Sequence, residues 1–467
     1  MLSGNDLIKL GYPEGKAIGL AINVVLRNFR RSTKEEIYDM LRSVLNEPKA
    51  FVGNAVWNGV ALALIPAEKK NMQHELLKNR LDYRIYGASG IEEGARNQME
   101  IAMKLPVTVA GSLMPDAHQG YGLPIGGVLA TRNAVIPYGV GVDIGCRMAL
   151  TAYPLGQVFL ERNRSNLKKI LLDNTAFGYE LMKRPKEHAV LDRREFNEIA
   201  VLRRLHGRAA MQIGSSGSGN HFVEFGLITL KEENEWNLKP GSYLAVLSHS
   251  GSRGLGAEIA RHFTRLAREL CYLPSEASNL AWLDLSTEAG QEYWAAMNVA
   301  GDYASANHEQ IHERIGKALG EQPLFKVENH HNFAWKEKLS DGSEVIVHRK
   351  GATPAGEGVL GIIPGSMTAP GFIVRGKGAE YSLNSASHGA GRLMSRAAAK
   401  NSITSKMVKQ ELERAGVELL GGGLDEAPMA YKDIRAVMSS QEELVDVLGE
   451  FSPKIVRMCG DNTPSED

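Results

Sequence analysis

From Met114 onward the chain repeats one arrangement: a short apolar run that empties into a polar loop containing glycine. The segments VLATRNAVIPYGVGVDIGC, HFVEFGLITL, SYLAVLSHSGSRG and SEVIVHRKG all follow it. Apolar runs of this length, bounded by Gly, Pro, Asn or Asp, read as strands. A chain built this way must bury several short strands in sheets and set its polar groups at their ends. Helical spacing intervenes over Asn166–Leu172, Glu195–Leu205, Gly256–Glu269, Glu288–Ile315 and Gly391–Ala399, the fourth long enough to be broken. The pattern is mixed α+β, without the regular alternation of a doubly wound sheet or an α/β barrel.

The texture before Tyr86–Gly90 is different. Ile18, Ile22, Val25, Leu26 and Phe29 recur at helical spacing, and Ser32 with Glu35 predicts a capping box. A second amphipathic run follows through Ile37, Met40, Leu41, Val44 and Leu45. Arg27, Arg30 and Arg31 close the first helix, where cations complement the helix dipole. We therefore expect a mainly helical N-terminal segment, residues 1–88, packed on a catalytic domain over residues 89–467. Hydrophobic residues make up 43% of the chain, enough for a true core. Lys+Arg and Asp+Glu both number 54, so a nucleic-acid partner would have to find a local basic groove. No apolar run reaches the length of a membrane span, and the first residues lack the pattern of a signal peptide. The expected location is cytoplasmic, with no membrane partner and a short acidic tail over Asp461–Asp467.

Glycine concentrates in distinct tracts: GYGLPIGG, GSSGSGN, GSRGLG, HGAGR and GGG. Backbone that must bend sharply or approach a ligand uses glycine. Beside these tracts and at strand ends stand His118, His221, His249, His330, His331, His348 and His388. A lone histidine is usually a surface or satisfied core residue. Seven in one repeated context point to a shared site on loops held by a scaffold. His74, His188, His206, His262, His308 and His312 lie in plainer helical or charged surroundings.

The three cysteines, Cys146, Cys271 and Cys459, are too few and too scattered for a disulfide framework and form no CxxC pair. Cys146 lies in VDIGCRM, where Asp143 puts a carboxylate and a thiol on one short turn. A thiolate can bridge cations and a carboxylate adds hard negative charge; a buried, inert cysteine is the competing reading. By ligand type alone, Cys and His point to zinc. Neither a Walker A motif nor a G-x-S-x-G elbow is present. Arg253, Arg349, Lys350 and Arg392 each adjoin a glycine-rich turn. Cations beside backbone amides make a phosphate cradle, and ordinary surface charge explains the same positions equally well.

Taken in order, MPDAHQGYGLPIGG, GVDIGC, GSGNHFVE, HSGSRGLG, HHNFAW, HRKGAT, IPGSM, SASHGAGR and DEAPMAYKDI resemble the RtcB family of RNA ligases, from about Met114 to Asp433. The resemblance implies an RtcB-like fold, with mixed β-sheets or a sandwich core surrounded by helices and a central metal-binding cleft. It implies joining of RNA 3′-phosphate or 2′,3′-cyclic-phosphate ends to 5′-hydroxyl ends, with GTP as co-substrate and two Mn²⁺ ions, in RNA repair or tRNA splicing. An activating protein belongs among the partners so implied. His388 would be the nucleophile that takes GMP. Cys146 would bridge the two ions, Asp143 and His221 completing one coordination sphere, His249 and His331 the other. Nucleotide contacts would fall on Asn220, His331, Asn332, Ser366, His388, Gly389, Ala390, Gly391 and Tyr431. Arg253, His348, Lys350 and Arg392 would belong to the phosphate- and RNA-binding surface.

Three positions depart from the family pattern. Pro354 stands where HRKGATRA has arginine, Gly371 where a serine would contact guanine, and Cys459 where a terminal lysine would do so. These departures leave two alternatives: a related nucleotidyltransferase, end-capping or phosphodiesterase enzyme with altered specificity, or a non-catalytic RNA-binding relative. The intact set from Asp143 to His388 argues against the second.

Overall fold

Alternation along the strands decides the architecture. In a computed structural model, which describes residues 2–13, 15–29, 32–65, 72–178, 186–231 and 234–460, the chain divides into two units, residues 1–71 and 72–467. Arg30, Arg31 and the acidic tail lie outside the described residues.

The first unit is helical. Gly4–Leu10, Lys16–Asn28, Lys34–Asn46 and Asn58–Leu64 bury one apolar face each around Leu7, Ala21, Val25, Leu41, Val44 and Trp57. The Tyr12 hydroxyl donates to Leu41 O at 2.9 Å inside this core. The capping box sits one residue later than Ser32 and Glu35 suggest. Thr33 and Glu36 form it: Thr33 has the extended backbone of an N-cap, and its hydroxyl accepts from Glu36 N.

The second unit holds two principal sheets. Among the described residues, eight strands make the larger one, whose main path runs Phe325–His330, Arg147–Tyr153, Gly241–Ser250, Phe222–Leu230, Val445–Met458, Gly371–Gly376 and Leu360–Ile363. Its two edges meet through one side chain. Asn329 accepts from Ile362 N at 2.9 Å and donates to Ile362 O at 3.3 Å, doing for the seam what a ladder does elsewhere. The sheet is thereby a nearly closed barrel. Met148, Leu150, Ile228, Leu247, Val327, Ile362, Ile373 and Phe451, contributed by every strand of that path, fill its interior. The alternate residues Val223, Phe225, Leu244 and Val246 face outward onto helix Arg164–Asn174 and the end of a long helix, at Ile311 and Ile315.

The smaller sheet runs Asn332–Lys338, Glu344–Lys350, Ile125–Thr131, Thr108–His118 and Arg84–Ile85. Leu113, Leu129 and Ile346 on one face pack against helices, while Met114, Val128 and Val347 on the other pack against Tyr86, Ile434 and Val437. Helix Glu288–Leu319 is unbroken, from its Thr287 cap to left-handed Gly320. Small residues let it run close to the barrel: Gly301 leaves room for the Phe333 ring, and a Cβ on Gly145 would lie 2.8 Å from Gly301 Cα. The span Gly391–Ala399 is not one helix. Residues 391–395 form bends and an isolated bridge, and helix starts only at Arg396, after a Ser395 cap. No helix among the described residues is long and apolar enough to cross a membrane.

Candidate metal and nucleophile site

Strand register gathers the site. Arg147 pairs with His330 on one neighbour and with Ser250 on the other, and Phe222 pairs with His249. Cys146, His221, His249 and His331 therefore end up side by side on one rim of the barrel. His331 N donates to Cys146 O at 2.9 Å, and Gly145 N to Asn332 O at 2.7 Å, which locks the turns together.

The side chains converge. Cys146 Sγ lies 3.3 Å from His221 Nε2 and 3.2 Å from His249 Nε2; His249 Nε2 lies 3.2 Å from His331 Nε2. Asp143 Oδ2 is 3.1 Å from His221 Nε2. All are buried or nearly so. Ligand atoms held tetrahedrally about 2.0–2.3 Å from a cation are themselves about 3.3–3.8 Å apart, close to the spacings here. Cys146, His221 and His249 alone bring three ligand atoms within 4.8 Å of one another. His249 Nδ1 donates to Asn220 O at 3.1 Å, which leaves Nε2 as a bare lone pair. Burial, with His221 nearby, holds His249 well below the usual histidine range, and burial beside His388 and His249 does the same to His331. Both imidazoles are thus neutral and able to ligate. Burial alone would raise the Asp143 carboxyl, but its hydrogen bond and attraction to His221 outweigh that and keep it ionised. His331 Nδ1 is buried with no hydrogen-bond partner. The glycines of the flanking tracts leave the necessary space. A Cβ on Gly251 would collide with the Asp143 carboxylate, and one on Gly217 with the His221 ring. The donor set and this cradle fit a divalent metal.

Next to the cluster, the His388 ring lies 4.9 Å from that of His331. Its Nδ1 is 2.7 Å from Asp116 Oδ2, which also accepts from the backbone N of His388 at 3.2 Å and of Gly389 at 3.3 Å. Asp116 is fully buried, and Lys432 Nζ anchors the same turn through Pro115 O and Ala117 O. With Nδ1–H given to a carboxylate, Nε2 of His388 carries the free lone pair of a nucleophile.

A family model described as tRNA-splicing ligase RtcB matches residues 98–202 and 194–458. A protein named RNA-splicing ligase RtcB1 from Escherichia coli is 36% identical over 393 residues, 77% of this chain and 92% of its own length. RNA-splicing ligase RtcB of Escherichia coli K12 is 35% identical, also over 77% of this chain and 92% of its own length. The chain belongs to the RtcB family. More distant RtcB proteins agree: tRNA-splicing ligase RtcB of Archaeoglobus fulgidus is 31% identical over 73% of this chain and 86% of its own length.

On this RtcB scaffold the remaining residues singled out above fall into groups. Asn332 stands beside the metal cluster, its amide donating to Asp143 O at 3.3 Å and accepting from Gly351 N at 2.8 Å. Asn220 is there through His249. Gly389, Ala390 and Gly391 form the turn after His388; a Cβ on Gly391, at φ +73°, would collide with Asp116 O. Tyr431 and Arg392 form a second group beyond that turn. The guanidinium lies 5.1 Å over the tyrosine ring and donates to Asp425 O at 2.6 Å and Glu426 Oε2 at 3.3 Å. Ser366 lies on the turn after Pro364, which touches Gly389. Its neighbour Met367 packs with Met458, so Ser366 and Cys459 come from adjoining segments. Gly371 opens a barrel strand and faces Pro364, and Pro354 pairs with Ser385 in a two-stranded ribbon.

Three cations are held inside the protein. His348 is not brought to the cleft: Nε2 accepts from Ile136 N at 2.9 Å and Nδ1 donates to Leu129 O at 3.1 Å, within a sheet that buries it fully. Arg253 is buried and donates to Ser215 Oγ at 3.2 Å and to Gly178 O. Arg349 is buried on Glu337 and Ser385. Lys350 is also buried, donating to Tyr121 O at 2.5 Å and Tyr138 O at 3.3 Å, and burial pulls its pKa down to about 7.

Two features escaped the sequence reading. Asp116 sits inside MPDAHQGYG, where the adjacent His118 drew attention as a loop histidine; burial in fact pulls His118 down to about 4. His308 and His312, plain in their helical context, lie in a fully buried chain of hydrogen bonds. His308 Nε2 donates to Ser250 O, so its Nδ1 accepts from Ser248 Oγ at 2.6 Å; Ser248 accepts from His312 Nε2 at 2.7 Å, and His312 Nδ1 from Thr151 at 2.7 Å. This chain fastens the long helix to the strand that carries His249. Only the i, i+4 spacing of the two histidines signals it.

Proposed function

We propose that this protein is an RNA ligase that joins 3′-phosphate or 2′,3′-cyclic-phosphate ends to 5′-hydroxyl ends through a His388–GMP intermediate, in RNA repair or tRNA splicing. The observation that carries the reading is His388, tautomer fixed by Asp116, beside a buried His/Cys/Asp cluster that fits metal. Relatives over most of the chain are named RNA-splicing and tRNA-splicing ligases.

His388 Nε2 attacks the α-phosphorus of GTP; the bond to the β-phosphate oxygen breaks and pyrophosphate leaves. Asp116 keeps the proton on Nδ1 and offsets the positive charge that develops on the ring. An oxygen of the RNA 3′-phosphate then displaces His388 from phosphorus, giving an RNA–diphosphate–guanosine. The 5′-hydroxyl attacks the RNA phosphorus, a phosphodiester forms, and GMP departs. Cys146, Asp143, His221, His249 and His331 would hold divalent metal, with Mn²⁺ the expected ion. Bound there, metal supplies positive charge to phosphoryl oxygens during each transfer. Asn220, Asn332 and the turn Gly389–Gly391 would bind the nucleotide phosphates, and Ser366 and Tyr431 the guanine.

Incubation with Mn²⁺ and radiolabelled GTP or ATP tests the reading. An acid-labile protein adduct with GTP supports it. No adduct, or one formed with ATP alone, sinks it. Gly371 and Cys459 favour a second reading, a related nucleotidyltransferase with another nucleotide preference, which the ATP arm detects.

A further inference from the structure

The loop between His118 and the next strand carries an aromatic side chain that the chemistry above leaves unused. Tyr121, in GYG, is 70% exposed. The loop beneath it is rigid. The Gln98 side chain donates to Gly120 O at 2.6 Å and accepts from Gly120 N at 3.0 Å. On the other side, a Cβ on Gly122, at φ +71°, would lie 3.0 Å from Asn279 O, so only glycine fits there. The Tyr121 ring is held near-parallel to half-buried Tyr138, centroids 6.1 Å apart and 20° between planes, which leaves its outer face open.

The candidate site lies alongside. Lys350 Nζ bonds the Tyr121 carbonyl and sits 5.1 Å from the Tyr138 ring centre. Gly351, next to Lys350, bonds Asn332, which bonds the Asp143 carbonyl. A Cβ on Gly351 would also lie 3.2 Å from His388 Cε1. The exposed ring is therefore tied to both the nucleophile and the metal cluster by a few short links. An open aromatic face, pre-oriented by a second ring, suits a flat, stackable π-system such as a nucleobase.

We propose that Tyr121 is a stacking platform for the unpaired terminal nucleobase of an RNA end entering the site. The idea rests on the ligase reading for the identity of the RNA, but its test does not need ligation. Equilibrium binding of short, internally labelled single-stranded RNAs to the full chain, without nucleotide, is measured by fluorescence anisotropy. One RNA ends in a 5′-hydroxyl, the other in a 3′-phosphate. Tyr121→Ala is expected to weaken binding of one of them by about fivefold to a hundredfold, the usual effect of removing a base-stacking ring. Tyr121→Phe should bind as the wild type does. An abasic terminal nucleotide on that RNA should weaken the wild type by a similar factor and leave Tyr121→Ala unchanged. Equal affinity of Tyr121→Ala and wild type for both RNAs overturns the proposal. So does Tyr121→Phe binding as weakly as Tyr121→Ala, or an abasic end that weakens both proteins alike. The His388 adduct, measured separately on the wild type, decides the ligase reading on its own.

Discussion

Asp116 offers the sharpest test of how the nucleophile is prepared. One oxygen, Oδ2, accepts three hydrogen bonds, from His388 Nδ1, His388 N and Gly389 N, while Oδ1 is buried without a partner. Asp116→Asn can keep its carbonyl oxygen in the Oδ2 position, so the tautomer and the turn survive and only the charge is lost. A hydrogen bond to a charged acceptor is worth about 1.5–3 kcal/mol and a neutral one about 0.5–1.5, so the loss is about 1–2 kcal/mol. That corresponds to roughly a 5- to 30-fold slower adduct formation. Asp116→Ala removes the acceptor for all three buried donors, each costing about 1–3 kcal/mol. It should slow the adduct more than about 100-fold and also lower the melting temperature. The assay is single-turnover transfer from radiolabelled GTP at saturating Mn²⁺, with metal content measured in parallel. Metal content should hold, because the three hydrogen bonds to Asp116 Oδ2 come from His388 and Gly389 and not from the ligand side chains. An Asp116→Asn rate within twofold of wild type, or a loss that tracks loss of metal, would refute the argument.

Other consequences are equally open to measurement. His388→Ala should abolish nucleotide transfer with metal content unchanged; loss of bound metal in that variant would contradict the separation of roles. Gly251→Ala, whose new methyl must displace the Asp143 carboxylate, should reduce bound metal by elemental analysis while the protein stays folded by circular dichroism. Asn329→Leu strips the seam of its partner and leaves Ile362 N and O unpaired, so urea unfolding should show a loss of about 2–4 kcal/mol. Below about pH 7 the folded protein must hold Lys350 as a buried ammonium that the unfolded chain carries freely. That penalty fades as pH rises from about 7 toward the ordinary lysine value, so wild-type stability should gain on Lys350→Met between pH 7 and 10 in urea titrations. A gap that is flat or narrows in the opposite sense would show that the lysine is not desolvated.

Residue chemistry was legible in the sequence where it was local. Glycine tracts beside histidines marked the loops, and the turn from Asp143 to Cys146 showed a carboxylate and a thiol together. Non-local relations were not legible. Nothing in VDIGC, GSGNH or HSGSRG says that Arg147 will pair with Ser250 and His330, and that register is what makes neighbours of their ends. Asp116 was missed because its partner lies far along the chain, and His308 and His312 because burial, not spacing, makes them a hydrogen-bonded chain. Helix Glu288–Leu319 looked breakable from its length, yet it runs unbroken, and its Gly301 and Gly316 let it come close to Phe333 and Tyr153. In Gly391–Ala399 the opposite held. Helical spacing was present, but the turn follows Asp116 and Tyr431 instead, a tertiary override of local preference.

The metal cluster joins side chains separated by 75, 103 and 82 residues of chain, one from each of four neighbouring strand ends. No two of these ligand atoms can meet in an unfolded chain except by chance. An ion that binds them recognises a finished barrel and has almost no affinity for anything earlier. It therefore acts as a quality check on assembly: chains that close with the wrong register gain nothing from it, while correctly closed ones are held by mass action. Starvation for metal during synthesis should accordingly lower the yield of folded protein, beyond silencing whatever has already formed.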